Sequence, residues 1–414
     1  MQLRRGLSCA LFCVSLTAQS PATIQQLEAS AQQHLAAHDA AGALAAYREL
    51  ARLAPGSAIY QDEVGFLLAA TSHAPDAIPH FRKATELAPQ MAQAWYHLGV
   101  ALWLTHQTDS SVRDLRKAVE LAPGHGDYRF RLGSAYNETG HYAEAITELS
   151  KCVKQLPKDA GVWEALGLAY QRQEQFPEAC DAYRRAVELD PKNTAVRNSY
   201  GSMLVKSGDP AAGLKEFRKI LAVEPDNIHV QVNVGYAYIA AGDMKAAVKQ
   251  LSELSRKHPD LASAHYDLGV AYKQIDDLPH ARAELEKAVT LEPTLAEGHY
   301  TLALTYLDAG DTDKAIEQLR AAVRERPRYV EAWSRLGTVL KDKGDADGAI
   351  DALQRSVALG GNDAGVYNAL GLLLRRKGDA AGSKEAFAKA AGIRRSEELE
   401  KEKLLRKGAA REDH

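Results

Sequence analysis

Residues 160–193 read AGVWEALGLAYQRQEQFPEACDAYRRAVELDPKN, and this stretch decides the fold. Trp163, Leu166, Gly167 and Tyr170 recur at the spacing of one helical face. Ala179, Tyr183 and Ala186 do the same on a second segment, and Pro191 stops it. Stepping outward in either direction reproduces the pattern. Pro55, Pro89, Pro123, Pro157, Pro191, Pro225, Pro259, Pro293 and Pro327 are each 34 residues apart, and Gly361 takes the next place. A period of this length marks a solenoid, whose units bury their apolar faces against their neighbours.

Other columns share the register. Place eight of each unit is glycine from Gly65 to Gly371, with Ala303 as an exception. Twelve residues later comes a small residue (Ala77, Ser111, Ala145, Ala179), and four beyond that a large apolar one (Phe81, Leu115, Leu149, Tyr183). A glycine inside a helix costs about 1 kcal/mol relative to alanine, so a whole column of them implies a packing benefit. The expected benefit is a close backbone approach, with glycine on one helix facing alanine on the next. Gly140, Gly208, Gly242, Gly310, Gly344 and Gly378 suit a left-handed residue ending the first helix. Asp209, Asp243, Asp311, Asp345 and Asp379 follow directly and suit the start of the second. His106-Gln107 stands where repeat three should have its glycine, which predicts a distorted turn there.

These columns resemble the tetratricopeptide repeat (TPR). The resemblance covers eleven units within residues 24–397, the first being 24–57 and the last 364–397. It implies an all-α, right-handed superhelical solenoid of helix–turn–helix repeats that binds a protein or peptide partner in a concave groove. The first unit fits least well, with Ala31 for the glycine and His34 for the tyrosine, as a terminal unit allows. Pairs at places five and nine, such as Asp62/Phe66 and Tyr266/Val270, do not fit the Lys/Asn clamp of the chaperone-binding members. The asparagine ladder of the O-linked sugar transferases needs Asn at place six, where only Asn233 occurs.

Composition narrows the function. The chain has 414 residues, 46% apolar and 25% charged, which excludes a disordered chain. Lys and Arg number 51 against 54 Asp and Glu, and the net charge of −3 speaks against a binder that neutralises phosphates. The repeats take up nearly the whole chain. No GxxxxGK[ST], GxSxG or HExxH is present, so no catalytic residue, cofactor or nucleic acid is expected. His34 and His38 share a helical face, but nothing nearby in sequence completes a metal site. Cys152 and Cys180 read as small buried thiols, with a disulfide as the alternative in an oxidising compartment.

The ends differ from the array. Arg4 and Arg5 precede an uncharged, mostly apolar run, Gly6–Leu16, and small or polar residues follow. This is the layout of a signal peptide over residues 1–19, cut after Ala18 or Gln19, which would place the protein in the periplasm or outside the cell. A retained anchor and a cytosolic start are the alternatives. Residues 394–414 carry seven basic and six acidic residues and read as a solvated helix covering the last repeat, with a separate docking segment as the alternative. The boundary of that tail is set at residues 398–414.

On the first helix, places four, seven, eight and eleven should face the core, and places two, five, nine, twelve and thirteen the groove. That face carries two aromatic zones: Phe66, Tyr96, Trp103 and Phe130, then Tyr236, Tyr266 and Tyr300. Aromatic side chains of this kind are enriched at binding hot spots, and the alternative is that they pack on the adjoining repeat. Between the zones lie polar residues such as Glu164, Asn198 and Ser202. The expected function is a non-catalytic interaction scaffold. A subunit of an envelope assembly or polysaccharide-export machine, and an accessory presenting substrate to a separate enzyme, remain as alternatives.

Overall fold

The computed structural model describes residues 21–412, and all of its regular structure is helical. The export segment proposed for residues 1–19 lies outside the described residues. Contacts divide the chain into two compact units, one ending at Met203 and the other starting at Leu204. The N-terminal unit contains α1 (Pro21–Ala36), α2 (Ala40–Leu53), α3 (Ala58–Ala70), α4 (Ala74–Leu87), α5 (Ala92–Leu104) and α6 (Thr108–Leu121). It continues with α7 (Gly126–Glu138), α8 (Tyr142–Gln155), α9 (Ala160–Arg172), α10 (Phe176–Leu189) and most of α11 (Thr194–Lys206). The C-terminal unit contains α12 (Pro210–Leu221), α13 (Ile228–Ala240), α14 (Met244–Lys257), α15 (Ala262–Gln274), α16 (Leu278–Leu291) and α17 (Ala296–Asp308). It ends with α18 (Thr312–Glu325), α19 (Val330–Lys343), α20 (Ala346–Ala358), α21 (Ala364–Arg376) and α22 (Ala380–Glu412).

Odd-numbered helices are the first of each repeat and even-numbered ones the second. Within each unit a helix packs on its predecessor and successor. First helices of successive repeats also touch, as α3–α5–α7–α9 and as α13–α15–α17, so they line one continuous face per unit.

The turn inside each repeat is the same throughout. Place fifteen is left-handed in all eleven repeats, at glycine in six (Gly140, φ 76°; Gly344, φ 91°) and at His38, Ser72, His106, Glu174 and Asp276 in the others. The N–H of place sixteen then reaches back to the carbonyl of place eleven at 2.8–3.0 Å, the closing bond of a Schellman motif. Repeat three is therefore not distorted: His106 adopts φ 59° and Gln107 N–H bonds Leu102 O at 2.9 Å. Asp209, Asp243, Asp311, Asp345 and Asp379 accept the N–H three residues on, at 2.8–3.3 Å, as N-caps do.

The glycine column makes room first for a side chain, with backbone just behind it: a Cβ on Gly99, Gly269 or Gly337 would also stand 3.1–3.2 Å from a backbone atom of the second helix. A Cβ on Gly167 would stand 2.9 Å from the Tyr183 ring, and one on Gly235 would stand 2.3 Å from Leu251. The glycine thus lies closest to the large residue of place twenty-four, while the small residue expected opposite it comes near at Gly269, where Ala281 O would stand 3.2 Å from a Cβ. The small column is sealed all the same. Ala145, Ala179 and Ala281 are wholly buried, and the Ser111 hydroxyl donates to Gly99 O at 2.7 Å.

Place four does more than fill the core. Its side chain donates to the carbonyl of the proline six residues earlier in eight consecutive repeats: Trp95, Arg129, Trp163, Arg197, Gln231, His265, His299 and Trp333, at 2.7–3.1 Å. The proline lies just past the end of the preceding helix, so each of these eight repeats satisfies a turn carbonyl left by the repeat before it.

The tail is helical, as expected: α22 runs unbroken through Glu412, and its residues 394–403 are exposed, with Leu399 half bare. Cys152 is buried, and its thiol, pushed up to about 11 chiefly by that burial, donates to Gly126 O at 3.3 Å. Cys180 packs beside Tyr183 and Val187.

Candidate functional site

In the N-terminal unit, α3, α5 and α7 supply the first aromatic zone. Phe66 is 47% exposed, and its ring lies 5.3 Å from the imidazole of His97. That imidazole bonds both oxygens of the buried Asp62, at 3.0 and 3.1 Å. Asp62 occupies place five and His97 place six of the next repeat, so a carboxylate and a base meet across the seam between repeats. Tyr96 stacks on Tyr128 with centroids 4.4 Å apart, and Tyr128 stacks on His125 at 3.8 Å. The Trp103 indole donates to Glu138 and has the Arg131 guanidinium 5.0 Å above its ring. Phe130 is half-buried over the start of α9, with its ring edge beside Gly161.

The second zone is built on α13, α15 and α17 of the C-terminal unit. Tyr236 is 42% exposed. Tyr266 is mostly covered; its phenol bonds Thr301, and burial raises its pKa. Tyr300 packs against the buried cluster of Leu336 and Leu340 and tilts onto Tyr329 at 5.1 Å. Arg326 lies 4.9 Å over the Tyr329 ring and is ion-paired with Glu297. Of the seven aromatic residues expected to bind, Phe66 and Tyr236 present the most free surface. Tyr96, Trp103, Phe130, Tyr266 and Tyr300 are partly engaged by neighbouring repeats. In the polar stretch between the zones, Glu164 is exposed and the Ser202 hydroxyl donates to Asn198 O at 3.0 Å.

Asp267 was missed by the sequence reading. It sits at place six of α15 and is 9% exposed, and burial alone lifts its carboxyl to about 7. The sequence signal is a carboxylate at place six with Val232, and no base, at the facing place five of the preceding repeat. His34 turns to Asp39 at 2.8 Å, and among the described residues no group of three metal-ligating side chains occurs. No helix among them is long and apolar enough to cross a membrane.

Repeated helix pairs with a shared inner face define a helical-repeat protein. More narrowly, the chain belongs to the tetratricopeptide-repeat family. The family model described as Tetratricopeptide repeat matches residues 67–109, 105–160, 232–296 and 300–365, more than half of the chain, and a second of the same description matches residues 364–397. Residues 143–263 match the cytochrome c-type biogenesis protein H TPR domain. No curated protein matches. Similar solved structures include MamA, 25% identical over 40% of this chain and 97% of its own, with a TM-score of 0.38. MamA from Desulfovibrio magneticus RS-1 is 24% identical over 41% of this chain and 96% of its own, with a TM-score of 0.39. The human IFIT1 dimer with PPP-AAAA is 17% identical over 81% of this chain and 90% of its own, with a TM-score of 0.45. An array of these repeats is a protein-interaction scaffold, and the fold is typically non-catalytic.

Proposed function

We propose that the chain binds an extended polypeptide along the face lined by its first helices and performs no chemistry of its own. One observation carries this reading. Phe66 and Tyr236 hold the same place in repeats two and seven, and each leaves nearly half of a large ring exposed on that face. Exposed rings on a rigid helical wall offer contact area at little entropic cost. The basic start and apolar run of residues 4–16 support export of the scaffold to the periplasm or beyond.

The test is crosslinking capture from the native cell envelope with the full chain as bait. Phe66→Ala and Tyr236→Ala together should weaken the main partner by on the order of 2 kcal/mol if both are hot spots. Circular dichroism should stay unchanged, because neither ring is buried in a repeat core. An unaltered set of captured proteins would place the binding surface elsewhere.

A further inference from the structure

The two aromatic zones share a frame, and comparing them exposes a missing charge. Asp62, Phe66 and His97 meet in the N-terminal unit. Moving five repeats on, by 170 residues, turns these three places into Val232, Tyr236 and Asp267. In the first setting the carboxylate of Asp62 has a base beside it, at 3.0 Å, inside one continuous wall. In the second, the carboxylate has moved to place six and the facing place five is Val232. Asp267 is 9% exposed, and among the described residues it makes no hydrogen bond or ion pair.

The first setting also shows what such a carboxylate accepts. The His97 imidazole is held among Phe66, Phe81 and Tyr96, at centroid distances of 5.3, 5.4 and 5.8 Å. The same places in the C-terminal unit hold Tyr236, Leu251 and Tyr266. Tyr266 is close enough to Asp267, Glu297 and Tyr236 for their charges to raise its phenol further. Two electron-rich rings and a desolvated carboxylate favour a cation, through its attraction to both the ring faces and the charge. Other nearby charges are already committed, Glu297 to Arg326 and His265 to Glu284. A buried carboxylate without a partner is costly to hold, which marks the position as one built for something other than stability.

We propose that Asp267, Tyr236 and Tyr266 form a subsite for one lysine or arginine side chain of a polypeptide lying along the inner face of the C-terminal unit. The proposal rests on the reading of the chain as a polypeptide-binding scaffold and adds the chemistry of the partner. A divalent cation is a poorer occupant, since it needs several oxygen ligands and Asp267 supplies the one carboxylate here.

The test uses the full chain and an array of random 15-residue peptides. Wild-type protein should select peptides with Lys or Arg at one fixed position, and replacing that residue by norleucine should weaken binding at least tenfold. Asp267→Asn, which keeps the shape and removes the charge, should bind the basic and norleucine peptides within twofold of each other. Val232→His supplies an internal base and should also lower affinity for the basic peptide, whereas Val232→Ala should not. Circular dichroism checks that each variant is folded. Selected peptides without a basic preference, or an Asp267→Asn protein that still discriminates, would overturn the subsite and leave the scaffold reading standing. No peptide retained by the wild type would overturn both.

Discussion

Glu174 and Asp276 occupy left-handed backbone where six other repeats use glycine, at φ 57° and 61°. A side chain in that region costs about 1–2 kcal/mol, because its Cβ crowds the following carbonyl. Glu174→Gly should therefore raise the urea midpoint by the equivalent of about 1 kcal/mol, and Gly242→Ala (φ 75°) should lower it by a similar amount. Asp267 makes the second prediction at this scale. Its carboxyl titrates near 7 when folded against an ordinary value of 3.8, so the folded state holds the proton more tightly. Stability present below pH 4 is then lost as the pH rises to 7. Asp267→Asn should match wild type near pH 4 and exceed it above pH 7, by on the order of a few kcal/mol in thermal or urea unfolding. The groups facing it from the helices packed on α15 are already engaged: Tyr266 is raised further by burial, Glu284 is tied to His265 and Lys287, Glu297 to Arg326, and His299 bonds Gln318 and Pro293 O. Asp267 was hard to read from sequence because its meaning depends on Val232, 35 residues earlier. A missing partner leaves no motif.

At the scale of the helix, the proline column announced where each second helix stops, and the aspartates announced where it begins. The rest of the seam between repeats was less legible. Place four was read as a large core residue, since Trp95, Trp163 and Trp333 suit that role. Yet Arg129, Gln231, His265 and His299 share the place, and what unites them with tryptophan is an N–H aimed at the preceding proline carbonyl. Size and donor capacity coincide in tryptophan, so three ring residues concealed the second requirement. Trp163→Phe keeps most of the ring and removes the donor, and should destabilise by about 1 kcal/mol in urea unfolding. Gly167→Leu acts one turn further along the same core face of that helix. It drives a branched side chain into the Tyr183 ring and should cost about 1–3 kcal/mol by overpacking. An unchanged midpoint in that variant would mean that α9 and α10 do not meet in this register.

At the scale of the molecule, contacts run from each helix to its neighbours in sequence, within each of the two units. A chain held this way approximates a row of coupled repeats, in which stability is local and damage spreads only as far as the nearest interfaces. Gly99→Leu is a suitable lesion, because a Cβ there already stands 2.6 Å from Leu115 between α5 and α6. Amide exchange should speed up in α5 and α6, and less so in α4 and α7, which pack directly on them. Helices α17 to α20, held by their own cluster around Leu319, Leu336 and Leu353, should keep their protection. Mass spectrometry after timed labelling reads every helix in one experiment. Uniform acceleration along the chain would show that the repeats unfold as a single cooperative block. A response confined to the flanking helices would show that each aromatic zone can be altered without loosening the other, which is the condition under which Phe66 and Tyr236 can be tested separately.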